Sequence, residues 1–136
     1  MGAMDFEVLL SAARDVRERA YAPYSAFLVG AAVMGASGRI YVGCNVENAT
    51  YGATICAERA AVCSMVANGE SRLVAVAVYT EAERAATPCG ICRQVLAEFA
   101  HDATVIVANK SGHATYSLAQ LLPEQFILEP NGDRNG

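Results

Sequence analysis

The sequence predicts an α/β domain in which a single mixed β-sheet carries helices on both faces, a three-layer αβα arrangement. Three observations predict it. Amphipathic segments alternate with short apolar runs in the order helix, hairpin, helix, strand, helix, strand. One run, Leu73 to Tyr79, is apolar throughout, as expected of a strand covered on both sides. No linker or internal repeat divides the 136 residues, so residues 1–129 read as one domain. The tail from Pro130 to Gly136, rich in Asn, Gly and Asp, reads as mobile. Met1-Gly2-Ala3 has the look of a non-native extension, with Met4 as the natural start.

The elements follow in chain order. From Asp5 to Arg19, the apolar residues Phe6, Leu9, Leu10, Ala13 and Val16 recur at i, i+3 and i+4, which predicts an amphipathic helix. Tyr21-Ala22-Pro23-Tyr24-Ser25 ends it, because proline disfavours helix in the residue before it. Phe27 to Met34 and Arg39 to Val46 predict a hairpin around the Ala36-Ser37-Gly38 turn. Glu47 to Thr54 is a polar loop. A helix from about Cys56 to Ala67 is closed by Asn68-Gly69. After the Leu73–Tyr79 strand come a charged loop, a helix from Gly90 to Phe99, a strand from Thr104 to Ala108 and a Lys110-Ser111-Gly112 turn. Tyr116 to Leu118 predicts either a short strand or the lead into a helical turn from Leu118 to Leu122.

Composition narrows the function. Hydrophobic residues make up 54 % and charged residues 18 %, an apolar balance that points to a subunit interface as well as a core. The net charge of −4 and the lack of a basic stripe argue against a nucleic-acid polymer as partner and favour a small-molecule substrate. No apolar run is long enough to predict a membrane span, and no signal-peptide pattern is seen. Five cysteines in such a chain suggest a reducing, cytoplasmic setting and metal ligation rather than disulfides.

Three of those cysteines carry the chemistry. They fall in two segments, Cys56-Ala57-Glu58 and Pro88-Cys89-Gly90-Ile91-Cys92, with 32 residues between Cys56 and Cys89. Three thiolates make a zinc site with one coordination position left over, and catalytic zinc sites keep such a position for water. Each segment precedes or opens a predicted helix, whose free N–H groups and positive dipole end favour thiolate over thiol. Cys63 lies seven residues after Cys56 on the same helix, roughly 10 Å along the axis. That is too far for a zinc–sulfur bond of about 2.3 Å. Cys44, on a strand, stays open as a ligand, although a small buried side chain is its plainer reading. Taken alone, Cys89-x-x-Cys92 would suit a closed zinc knot or a redox pair as well. Glu58 and Pro88 speak against both.

The Cys56-Ala57-Glu58 and Pro88-Cys89-x-x-Cys92 pattern resembles the zinc-dependent nucleoside and nucleobase deaminases. Cysteine at position 56 resembles the Cys₃ cytidine deaminases. Phe27-Leu-Val-Gly-Ala-Ala, Gly43-Cys-Asn45-Val-Glu47-Asn48-Ala and Pro88-Cys-Gly-Ile-Cys-Arg-Gln94 resemble the small homotetrameric members, over nearly the whole chain. The resemblance implies a cytidine deaminase-like fold and one Zn²⁺ per chain on Cys56, Cys89 and Cys92. The reaction it implies converts cytidine and 2′-deoxycytidine to their uridine counterparts plus ammonia, a step of pyrimidine salvage. Glu58 would shuttle protons. Arg59 would donate to the metal-bound sulfurs and offset the one negative charge by which three thiolates outweigh Zn²⁺. Asn45 and Glu47, two apart near a strand end, would hold the ribose 3′-hydroxyl, and Phe27 would pack on the pyrimidine. The Ala57 N–H and the Thr87 carbonyl would read ring O2 and the amino group. A neighbouring subunit of a homotetramer would complete the pocket, with Tyr51 and Phe126 as its candidate contributions. His101 and His113 read as surface residues. Nothing in the sequence orients Arg93. Two other readings stay open: a deaminase of another cytosine-bearing substrate such as blasticidin S, and a non-enzymatic zinc module.

Overall fold

The computed structural model describes residues 2–130; the predicted mobile tail beyond Pro130 lies outside the described residues. Helix α1 (Ala3–Arg17) leads into strands β1 (Gly30–Gly35) and β2 (Ile40–Cys44), then helix α2 (Ala57–Ala67) and strand β3 (Leu73–Tyr79). Helix α3 (Gly90–Glu98), strands β4 (Thr104–Asn109) and β5 (Gly112–Ser117) and the short helix α4 (Leu118–Leu121) complete the order. The five strands form one sheet in the order β2-β1-β3-β4-β5. Only β3 and β4 run parallel, joined by the α3 crossover; every other neighbour pair is antiparallel. The single mixed sheet is the one predicted.

Two apolar layers hold helices to its faces. On one side, Leu9 and Ala13 of α1 pack with Ala32, Met34, Ala75, Ala77, Tyr79, Ile106 and Ala108. On the other, Ala57, Ala61, Val62 and Met65 of α2 and Leu96 of α3 pack with Val33, Val76, Val78, Val105 and Val107. The alternation along β3 sends Val76 and Val78 one way and Ala75, Ala77 and Tyr79 the other, which is why that run has almost no polar residue. Small residues let the helices come close. A Cβ on Gly43 would lie 2.6 Å from the Ala57 carbonyl oxygen and nearer still to the Ala61 nitrogen. The first turn of α2 is thereby seated directly on β2.

Several element boundaries differ from the sequence expectation. Helix α1 starts at Ala3 rather than Asp5 and ends at Arg17. The β1 ladder begins only at Gly30, because Asn45 takes its place before that: its amide donates to the Phe27 carbonyl at 2.8 Å and accepts from the Val29 N–H at 2.9 Å. Beyond Tyr116–Leu118, a full six-residue β5 pairs with β4 from Gly112 onward, across a tight turn at Lys110-Ser111. Its apolar face is only Ala114 and Tyr116, alternating with exposed His113 and Thr115, too weak a pattern to stand out in sequence.

Candidate active site

Two helix starts meet at one point. Cys56 is the N-cap of α2 and Cys89 the N-cap of α3, with Cys92 in the first turn of α3. Their three sulfurs lie within 4.8 Å of one another, and no further His, Cys, Asp or Glu joins the group among the described residues. Cys92 is buried, Cys56 half-buried and Cys89 exposed, while Cys44 and Cys63 stand apart from the cluster. The helix N-termini turn their unpaired N–H groups and positive dipole ends toward this negative cluster.

The charges sort themselves accordingly. The Cys56 thiol is lowered to about 5, first by a hydrogen bond from Cys92 and then by Arg59. The Cys92 thiol is pushed up by the same Cys56 bond and by burial. One thiolate thus holds its neighbour's proton, and closely set sulfurs resist ionising together without a cation among them. Arg59 Nη2 lies 3.5 Å from the Cys56 sulfur and 3.2 Å from the Thr54 carbonyl. The Cys56 contact makes the Arg59 guanidinium still harder to deprotonate. Its Nε is buried with no hydrogen-bond partner among the described residues.

Glu58 stands in the first turn of α2 and is buried at 6 % exposure. Burial raises its carboxyl above the usual range, and the charge on Cys56 adds to this. It lines a cavity of about 210 Å³ together with Phe27, Asn45, Cys56, Ala57, Thr87 and Cys89. Ala57 opens α2, so its N–H has no intrahelical acceptor.

The residues predicted to bind substrate divide between three places. Phe27, Asn45, Ala57 and Thr87 share the cavity with Glu58. Glu47 and Tyr51 line an adjoining open cleft of about 320 Å³, which meets the cavity at Thr54. There Glu47 accepts from the Tyr24 N–H at 2.9 Å, the Ser25 N–H at 3.2 Å and the Ser25 hydroxyl. These bonds, Ser25's hydroxyl first, hold its carboxyl below the usual range. Between the residues gripped by Glu47 and Asn45, Ala26 is left-handed at φ 58°. Phe126 is not in its own chain's cavity: it is 70 % exposed beside a groove formed by Arg72, Phe99 and His101.

Sequence reasoning missed two residues. Ser25 supplies both an N–H and a hydroxyl to Glu47. Arg93 reaches Pro88, Leu121 and Thr87 through one guanidinium. Its place after Cys92 was a signal of nearness, but its acceptors are backbone groups and a hydroxyl that no side-chain motif marks.

The donor set fits zinc. Three cysteine sulfurs within reach of one ion suit its preference for thiolate, and Arg59 with two helix ends offsets the surplus charge. Glu58 is outside that ligand group but lines the same cavity.

Comparison with known proteins agrees with this geometry. Residues 4–108 match the family model described as "Cytidine and deoxycytidylate deaminase zinc-binding region". A cytidine deaminase of Sporosarcina psychrophila is 44 % identical over 93 % of this chain and 94 % of its own length. One from Halalkalibacterium halodurans is 42 % identical over 96 % of this chain and its own full length. The crystal structure of the cytidine deaminase from Burkholderia pseudomallei superposes with a TM-score of 0.85 at 42 % identity, covering 93 % of this chain and 100 % of that one. By sequence, by fold and by the metal-ready cluster at two helix ends, the chain belongs to the cytidine and deoxycytidylate deaminase zinc-binding family.

Proposed function

We propose that the chain catalyses the hydrolytic deamination of cytidine and 2′-deoxycytidine to uridine and 2′-deoxyuridine, with release of ammonia. The observation that carries this is a buried carboxyl, Glu58, in a cavity walled by two of three clustered thiols. Zinc held by Cys56, Cys89 and Cys92 supplies the Lewis acidity that makes water a nucleophile at neutral pH.

The chain's own residues do the rest. Glu58 takes a proton from the attacking water and delivers it to ring N3, then takes the second proton from the new C4 hydroxyl and gives it to the departing amine as the C4 carbonyl forms. Its raised proton affinity suits a group that must both accept and give a proton near neutrality. The Ala57 N–H donates to ring O2, and the Thr87 carbonyl accepts from the 4-amino group. Phe27 packs on the pyrimidine. Asn45 keeps one N–H and one lone pair beyond those spent on Phe27 and Val29, and with Glu47 it binds the ribose 3′-hydroxyl. Glu47 sits in a cleft that adjoins the cavity, which supports this division between base and sugar.

In this reading the working form is a cytoplasmic homotetramer. Exposed Tyr51 and Phe126 of one subunit close the pocket of another, since Phe126 does not reach its own. No helix among the described residues is long and apolar enough to cross a membrane. The test is to add cytidine, deoxycytidine, cytosine and blasticidin S to zinc-loaded protein, following absorbance and ammonia. Turnover of both nucleosides is expected; no change with either overturns the reading. Light scattering at micromolar concentration should give four chains per particle, and a monomer would refute the shared pocket.

A further inference from the structure

We infer that Arg93 is a positioning residue for discrimination between amino and carbonyl groups at C4 of the pyrimidine. It rests on the proposed deamination and deepens it. Arg93 follows Cys92 on α3, one turn after the N-cap Cys89, whose carbonyl accepts from the Arg93 N–H at 2.9 Å. Its guanidinium makes three bonds in different directions. Nε donates to the Pro88 carbonyl at 2.7 Å, Nη2 to the Thr87 hydroxyl at 3.1 Å and Nη1 to the Leu121 carbonyl at 2.8 Å.

The first two bonds bracket one peptide unit. The Thr87 carbonyl belongs to the 87–88 peptide, whose far side is the ring of Pro88, with φ held near −65° by the pyrrolidine. Pinning the Pro88 carbonyl fixes the torsion after that ring. Pinning the Thr87 hydroxyl fixes the side chain before it. Thr87 and Cys89, on either side of Pro88, both line the cavity, so the two bonds fix the direction of the carbonyl that the proposed reaction assigns to the 4-amino group. The third bond ties this wall to the end of α4. Thr87 itself is exposed, so packing alone does not hold it. A planar fork of donors is suited to such a task, whereas a lysine has a single point of attachment.

A wall carbonyl held in one direction accepts from an amino group but repels a carbonyl oxygen. Arg93 therefore acts on the difference between cytidine, which has a 4-amino donor, and uridine, which has none. A merely structural arginine would affect both alike. The experiment compares wild type with Arg93→Gln and Arg93→Lys, each checked for one zinc per chain. Cytidine affinity is measured as Kd in a Glu58→Gln background, and uridine affinity as the product-inhibition constant in the active enzyme.

The expected result is a cytidine-over-uridine preference at least tenfold lower in Arg93→Gln, mainly through weaker cytidine binding, with Arg93→Lys between it and wild type. An unchanged preference in both variants overturns the role of Arg93. If Arg93→Gln does not fold, Arg93→Lys and Thr87→Val decide: each should lower the preference, and no change in either overturns the inference. Wild-type protein that does not deaminate cytidine would instead refute the proposed function on which the role rests.

Discussion

Glu47 and Glu70 do similar local work at opposite ends of the β1–β2 hairpin. Glu70 accepts from the Ser37 N–H at 2.8 Å, the Ser37 hydroxyl at 2.7 Å and the Tyr41 hydroxyl at 2.8 Å, and so holds the turn. Glu47 accepts from the N–H groups of Tyr24 and Ser25 and from the Ser25 hydroxyl, and so holds the chain entering β1. Both carboxyls are lowered by these bonds. The surroundings differ. Glu47 opens onto a cleft that adjoins the Glu58 cavity, while Glu70 lines neither. The same residue type in the same bonding pattern is a loop anchor in one place and a candidate ligand reader in the other. The turn end is therefore an internal control for the functional end.

The comparison is broken most severely by removing a metal ligand. Cys92→Ala should lose zinc and activity and destabilise the fold, because metal binding and folding are coupled. Metal analysis of Cys63→Ala should still give one zinc per chain, and equal loss there would mean the ligand set is wrong. Next in size is Glu58→Gln. It should retain zinc and bind nucleoside, while kcat falls by about 10²- to 10⁴-fold, the usual worth of one positioned acid/base. Retention of more than about a tenth of kcat would exclude the proton-shuttle role.

Glu47→Gln against Glu70→Gln sharpens the comparison directly. Each weakens a loop anchor, but only Glu47→Gln should lower kcat/KM for cytidine, by roughly 10- to 100-fold, as expected for losing a charged hydrogen-bond partner. Equal kcat/KM in the two variants would reduce Glu47 to an anchor. The smallest effect is on pH stability. Glu70 has a folded pKa below its ordinary value of 4.5, so its contribution is full above that pH and is lost as pH falls through the folded value. Acid denaturation of Glu70→Gln should show a shallower loss of stability below about pH 4.5 than wild type. Parallel acid curves would show that the Ser37 and Tyr41 bonds do not favour the ionised form.

The parts legible in sequence were those set by local period or short spacing. The helical stripe of α1, the apolar run of β3 and the Cys56-Ala57-Glu58 and Cys89-x-x-Cys92 spacings each lie within one element or at its start. What was not legible depends on partners far along the chain. Arg93 meets Leu121 28 positions away, and Ser25 meets Glu47 22 positions away. β1 begins three residues after Phe27 because a side chain, Asn45, occupies the backbone groups that a ladder would have used. β5 was obscured because its inner face offers only one large side chain, Tyr116, to the core.

The left-handed residue Ala26 places backbone strain beside the pocket. An alanine in that conformation costs about 1–2 kcal/mol relative to its right-handed alternatives. The chain tolerates it because Glu47 grips the two residues before it and Asn45 grips the carbonyl after it. Phe27 is therefore mounted on a latch under tension. The Glu47 bonds to Tyr24 and Ser25 are among the contacts that offset this strain, together with the Ala26 N–H bond to the Ala22 carbonyl and the Phe27 N–H bond to the Ser25 hydroxyl. In the proposed reading, ribose recognition by Glu47 and base stacking by Phe27 therefore share one mechanical support.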